Sequence, residues 1–97
     1  METYKTDERV EQARQEGIPL VDVRPRDQFE QGHIPGAVNI PWDEIDQSNV
    51  QPGSYVYCRS GRKSGFAQEV LAGQGVEVTN IGGMEHYTGP VERTKTD

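Results

Sequence analysis

Between Tyr55 and Leu71 the chain changes its hydrophobic period, and no other stretch constrains the fold as tightly. Tyr55 to Tyr57 is an apolar run with the character of a buried strand. Phe66, Ala67, Val70 and Leu71 recur at three- and four-residue spacing, which predicts a helix from about Ser64 to Gly73 or Gly75. Cys58, the only cysteine, follows the strand, and Arg59 to Ser64 join it to the helix with Gly61 near their centre. A thiol at a strand tip, facing a helix N-terminus and a ring of free backbone amides, stands where anions are stabilised.

The rest of the chain alternates in the same way. Thr6 or Asp7 is the expected N-cap of a first helix, with Asp7 and Glu8 in its first turn and Gly17 as its C-cap before Pro19. Any strand before it, at Glu2 to Tyr4, is very short. Leu20 to Arg24 reads as a buried strand ending against Pro25, which opens a short helix over Asp27 to Gln31 anchored by Phe29. His33-Ile34-Pro35-Gly36 is a turn, Ala37 to Ile40 a strand, Trp42 to Ile45 one helical turn, and Gln47 to Ser54 a polar loop. Val76 to Ile81 alternates as a strand, and Gly82-Gly83 then breaks it before a turn at Met84 to Tyr87. Strands alternating with helices imply an α/β fold, a parallel sheet with helices on both faces. Ligands of such sheets sit beyond the carboxyl ends of the strands, where Cys58 falls.

Ninety-seven residues bound the chain to one domain, here residues 1–91, followed by a polar tail over 92–97 that is expected to fray. The net charge of −6 argues against nucleic acid or an acidic membrane as partner. Yet three of the ten lysines and arginines, Arg59, Arg62 and Lys63, cluster beside the cysteine, which suggests a small anionic ligand. The N-terminal residues carry no apolar stretch for a signal or membrane segment, and a lone cysteine suits a reducing cytosol. A cytoplasmic monomer is the expectation. A trimmed secreted precursor is disfavoured by Met1.

Only a thiolate is a useful sulfur nucleophile, and three features favour it at Cys58. Gly61 lets the loop amides turn inward, the helix presents its positive end, and Arg59, Arg62 and Lys63 add charge that solvent screens. The thiol is therefore expected to titrate below the ordinary value of about 8.5.

The loop Cys58-Arg59-Ser60-Gly61-Arg62-Lys63-Ser64 resembles the active-site loop of rhodanese-type sulfurtransferases, C-R-S-G-x-R-S. Leu20 to Arg24 resembles that family's second strand. Phe29 to Pro41 follows its F-x-x-G-H-I-P-G-A-x-N-I-P signature, and Gly82-Gly83-Met84 matches its late double glycine. The resemblance spans about residues 17–91 and is to single-domain members. It implies a three-layer α/β/α fold with a five-stranded parallel sheet in the order 1-5-4-2-3, and Cys58 at the floor of a cup. It also implies a two-step reaction. Cys58 takes the outer sulfur of thiosulfate, expelling sulfite, and a thiophilic acceptor such as cyanide or a thiol removes it from the persulfide. The amides of Arg59, Ser60, Gly61, Arg62, Lys63 and Ser64 would stabilise the anionic sulfur.

Two departures from the pattern stand out. Lys63 replaces the usual last arginine and lacks its planar fork, which bears on thiosulfate binding. His86-Tyr87 replaces the usual tryptophan after the double glycine, so the wall of the cup is expected to differ. Asp22 and Arg24 read as an ion pair near the cup with a scaffold role, and His33 as structural. His86 is a candidate for the pocket edge, and Trp42 reads as packing. No His, Cys, Asp and Glu grouping has metal spacing, so neither metal nor cofactor is expected.

A phosphatase or arsenate reductase on the same architecture needs an arginine six positions after the cysteine, where this chain has Ser64. A persulfide carrier that does not use thiosulfate and a binding module without catalysis are both compatible with the loop. The expected partners are a small anionic sulfur donor and a thiophilic acceptor, including a thioredoxin-like or other thiol protein.

Overall fold

The computed structural model describes residues 4–94. The first helix, α1, covers Thr6–Glu16 and ends as expected at Gly17, whose φ of 70° lets its amide return to the Ala13 carbonyl. Its N-cap is Lys5, not Thr6 or Asp7, and makes no side-chain cap bond. The Thr6 hydroxyl is committed elsewhere, donating to the Ile81 carbonyl at 2.6 Å. The Asp7 carboxylate accepts from the Thr88 amide and hydroxyl at 2.9 and 2.6 Å. Tertiary bonds thus displaced local caps.

Four parallel strands follow, β1 at Leu20–Asp22, β2 at Val38–Asn39, β3 at Tyr55–Cys58 and β4 at Thr79–Gly83. They lie side by side in the order β2-β1-β3-β4. The crossover between β1 and β2 carries α2, Arg26–Gln31, and the one between β3 and β4 carries α3, Arg62–Gly73. Among the described residues there are four strands where the resemblance implies five. The strand expected at Glu2 to Tyr4 falls mostly on residues outside the described range, and Tyr4 itself is not in a strand. No helix of the described residues is long and apolar enough to cross a membrane.

Strand alternation separates two apolar layers. Val21, Val23, Val56 and Cys58 face one side and pack with Ala67 and Leu71 of α3, together with Ile45, Val50, Val76 and Val78. Leu20, Tyr55, Tyr57 and Ile81 face the other and pack with Val10 and Ala13 of α1 and with Ile34. The sheet therefore lies between helices, as the α/β pattern requires.

Several boundaries differ from expectation: β1 ends at Asp22 rather than Arg24, β2 covers only Val38–Asn39, and the helical turn expected at Trp42 to Ile45 is a plain turn. The helix α3 begins at Arg62, so half of the supposed loop is its first turn, and α2 begins at Arg26 with Pro25 as its cap. The last strand begins at Thr79 rather than Val76 and runs through the glycine pair instead of ending at it. Cys58 pairs with Gly83, and any side chain at Gly83 would overlap the Cys58 carbonyl oxygen. Glycine is there for close approach between strands, not as a breaker.

The C-terminal segment is held further than expected. Glu92 exchanges two backbone hydrogen bonds with His33 at 2.9 and 2.8 Å, and the Thr94 amide donates to the Glu30 carbonyl at 3.1 Å. The frayed tail expected from residue 92 is thus tied down as far as Thr94, and 95–97 lie outside the described residues.

Candidate active site

Cys58 ends β3 on the side of the sheet that carries α3, and its residue surface is 2 % exposed. The chain then turns through Arg59 and Ser60 to Gly61, the N-cap of α3, at a φ of 98°. Side-chain-bearing residues rarely adopt that angle, and a Cβ there would lie 2.8 Å from the Tyr4 ring. The turn brings the Gly61 amide to 3.0 Å from the Cys58 sulfur. One helical turn further, the buried Ser64 hydroxyl lies 3.3 Å from the same atom.

Burial of the sulfur pushes its pKa up. The Ser64 hydroxyl and the Ser64, Gly61 and Ser60 amides pull it down by more, so the thiol sits below its ordinary value. Two of the three cations have partners of their own. Arg59 is exposed and paired with Glu85 at 3.4 Å. Lys63 holds its ammonium 5.4 Å from the Trp42 ring centre. Fixed dipoles close to the sulfur, not solvent-exposed charge, hold the thiol down.

A cavity of about 540 Å³ lies over the cysteine, lined by Trp42, Cys58, Ser60, Arg62, Lys63 and Phe66. Of the loop residues singled out in the sequence, Ser60, Arg62 and Lys63 line it, whereas Gly61 and Ser64 serve the sulfur from behind. The Arg59 side chain does neither. The wall is aromatic, with Trp42 and Phe66 in edge-to-face contact at 5.6 Å. Phe66 is 49 % exposed and Trp42 half-buried. Trp42 therefore packs on the core, as expected, and also faces the cavity. His86 does not line it and instead packs against Tyr4 at 5.5 Å.

Asn80 was not anticipated. From β4 its side chain bonds the Gly61 carbonyl at 2.8 Å and accepts from the Ser64 hydroxyl at 2.7 Å, so it ties the loop to the sheet. Its sequence position, within a strand that ends at a glycine pair, carries no local sign of this.

Asp22 and Arg24 lie with Tyr57, on the face of the sheet opposite Cys58, and not near the cup. The carboxylate takes two side-chain nitrogens and the backbone amide of Arg24, with the shortest contact at 2.8 Å, and Arg24 also donates to the Gly32 carbonyl at 2.6 Å. Tyr57 below them receives the Ile34 amide at 3.1 Å, and burial followed by the Asp22 charge raises its phenol far above the usual range. His33 stacks on Phe29 with ring centres 3.7 Å apart and donates through Nδ1 to the Phe29 carbonyl at 2.8 Å. These are scaffold contacts.

Comparison with known proteins agrees with this geometry. The family described as Rhodanese-like domain matches residues 6–89. The thiosulfate sulfurtransferase PspE of Escherichia coli is 38% identical over 77 residues, covering 72% of this chain and 74% of that protein. The putative sulfur carrier protein YrkF of Bacillus subtilis is 34% identical over 83 residues, covering 79% of this chain but 45% of its own length. The chain thus spans less than half of that relative. A solved structure, a rhodanese with anions from E. coli, superimposes with a TM-score of 0.67 at 34% identity, over 77% of this chain and 96% of its own. A buried cysteine cradled at a strand end, in a parallel sheet between helices, with this match along most of its length, places the chain in the rhodanese-like domain family.

Proposed function

We propose that the protein is a sulfurtransferase that moves a sulfane sulfur through a persulfide on Cys58. The observation that carries this reading is the cradle itself, with the Gly61 amide and Ser64 hydroxyl on a buried sulfur beneath an open cavity. With thiosulfate as donor, the thiolate attacks the outer sulfur, an S–S bond forms at Cys58, and the S–S bond of thiosulfate breaks with its electron pair leaving on sulfite. Cyanide or a thiol then attacks the terminal sulfur, and the electron pair returns to Cys58 as thiolate. Covalent catalysis divides one transfer into two, and the same donors stabilise the Cys58 thiolate that attacks in the first step and is released in the second. PspE, a thiosulfate sulfurtransferase, and YrkF, a putative sulfur carrier, support the two ends of this reading.

The aromatic wall favours an organic donor or acceptor alongside thiosulfate. A small, strongly hydrated dianion gains little from Trp42 and Phe66, whereas the body of an organic persulfide or of a thiol protein buries apolar surface there. Arg62 and Lys63 at the rim supply the charge for a carboxylate or thiosulfate oxygen. A thioredoxin-like protein is such an acceptor, and we place the reaction in the cytoplasm, in a monomer.

The test is an intact mass after incubation with thiosulfate and removal of the excess. The expected result is a gain of one sulfur, lost on adding cyanide and absent in Cys58→Ala. Absence of an adduct with thiosulfate and with organic persulfides alike would sink the enzyme reading. Hydrolysis of a phosphate monoester would favour a phosphatase instead.

A further inference from the structure

Three acceptors compete for the single proton of the Ser64 hydroxyl. They are Asn80 Oδ1 at 2.7 Å, Cys58 Sγ at 3.3 Å and the Gly82 carbonyl at 3.4 Å. The Asn80 amide cannot turn over to end the competition. Its nitrogen donates to the Gly61 carbonyl at 2.8 Å and reaches the Tyr4 hydroxyl at 3.3 Å. Its oxygen accepts from the Gly82 amide at 3.1 Å. A flipped amide would set nitrogen against the Gly82 N–H and oxygen against the Gly61 carbonyl. Asn80 Oδ1 is therefore a fixed acceptor, aimed at the hydroxyl that also serves the sulfur.

We propose that Asn80 is a positioning residue that gives the Ser64 proton a resting place whenever Cys58 carries no charge. The inference rests on the sulfurtransferase reading for its use, though not for its geometry. With a thiolate at Cys58 the charge-assisted bond is the stronger, and the Ser64 proton points to sulfur. When the sulfur is a thiol or is bonded within a persulfide, its pull falls and the proton turns to Asn80. In transfer, Cys58 Sγ loses its charge as the S–S bond forms and regains it as that bond breaks. The hydroxyl turns with it each time, so neither stage leaves a buried donor without a partner. No bond to hydrogen is broken in this step, which is a rotation only.

Asn80 therefore competes with the thiolate for Ser64, and its removal has a signature that loop support alone lacks. The Cys58 titration is followed by thiolate ultraviolet absorbance in four full-length proteins: the native chain, Asn80→Ala, Ser64→Ala and the double variant. If Asn80 acts through Ser64, Asn80→Ala moves the titration toward lower pH in the Ser64 background relative to its effect in the Ser64→Ala background. Loss of loop support acts on the Gly61 amide and shifts both backgrounds alike. Equal shifts, or a difference of opposite sign, overturn the proposal.

A measurement on the native protein stands if the variants do not fold. The side-chain carbonyl ¹³C resonance of Asn80 is expected to move with the midpoint of Cys58 ionisation, to shift again on loading with sulfur, and to stay still in Cys58→Ala. A resonance that stays still through Cys58 ionisation refutes the relay. Coupling without sulfur uptake from any donor would refute the sulfurtransferase reading while leaving the relay intact, and uptake without coupling would do the reverse.

Discussion

Removing the Ser64 hydroxyl takes a donor from the Cys58 sulfur and leaves in place the burial that opposes its ionisation. Ser64→Ala is therefore expected to raise the thiol pKa and to slow sulfur transfer roughly 10²-fold, the scale seen when one preorganised donor is lost. Single-turnover kinetics with thiosulfate measure it, and an unchanged rate would remove Ser64 from the chemistry. The sign of the pH dependence follows from the same contacts. Because the folded pKa is depressed, the thiolate population rises at lower pH than that of an ordinary thiol, near 8.5. Alkylation by iodoacetamide should level off at lower pH in the native protein than in the denatured chain. By linkage, Cys58 adds stability above the unfolded pKa, and this contribution is lost as pH falls through the folded value. Coincident alkylation curves would contradict the cradle. At this scale the sequence was most informative about residues close together in the chain. Cys58, Gly61 and Ser64 fall within one turn of a strand–helix junction, so their spacing alone brings them together. The pairing of the Arg59 side chain with Glu85 had no local signal, because Glu85 arrives from a distant segment.

Elements show the same division between local and tertiary causes. The end of α1 at Gly17 and the body of α3 were legible, since a left-handed cap and an apolar spacing are properties of short stretches. The extent of β4 was not. Gly82-Gly83 has the composition of a breaker, yet Gly83 pairs with Cys58 and leaves no room for a Cβ. Gly83→Ala is expected to destabilise by about 3 kcal/mol, at the upper end for overpacking, and to disturb the Cys58 backbone. Denaturant unfolding checks the first effect and thiosulfate turnover the second. A variant with native stability would mean that the two strands can separate freely at this point. The wall of the cavity is likewise tertiary. Residues Ser64, Ala67 and Leu71 form the buried stripe of α3, and Phe66 stands off that stripe, exposed, against Trp42 from the loop after β2. Its place off the buried stripe was the available signal. Phe66→Ala should weaken use of an organic persulfide about tenfold, on the scale of one buried apolar side chain lost from a binding surface. It should leave thiosulfate turnover nearly unchanged. Equal losses with both donors would assign Phe66 to the support of the loop.

Over the whole molecule, the sheet separates chemistry from scaffold. Cys58 and its donors lie on the α3 side, while the buried Asp22–Arg24 pair lies with Tyr57 on the α1 side. The sequence places Asp22 and Cys58 near the ends of neighbouring strands, which makes them look like parts of one site. Register resolves it, because Asp22 pairs with Tyr57 and not with Cys58, so the two side chains emerge on opposite faces. Asp22 is fully buried, and its charge is balanced by a guanidinium that also holds the Gly32 carbonyl at the end of α2. Arg24→Leu would leave that carboxylate uncompensated and is expected to cost about 3–5 kcal/mol of stability. Double replacement by apolar residues of similar size, Asp22→Leu with Arg24→Leu, should recover part of the loss, since it removes the buried charge along with its partner. The decisive comparison is the Cys58 titration of whichever variant remains folded. If the pair is scaffold, the thiol midpoint stays at its native position while unfolding shifts to lower denaturant. A displaced midpoint in a folded variant would mean that the ion pair acts on the sulfur through the sheet, and the separation of the two faces would fail as an account of this molecule.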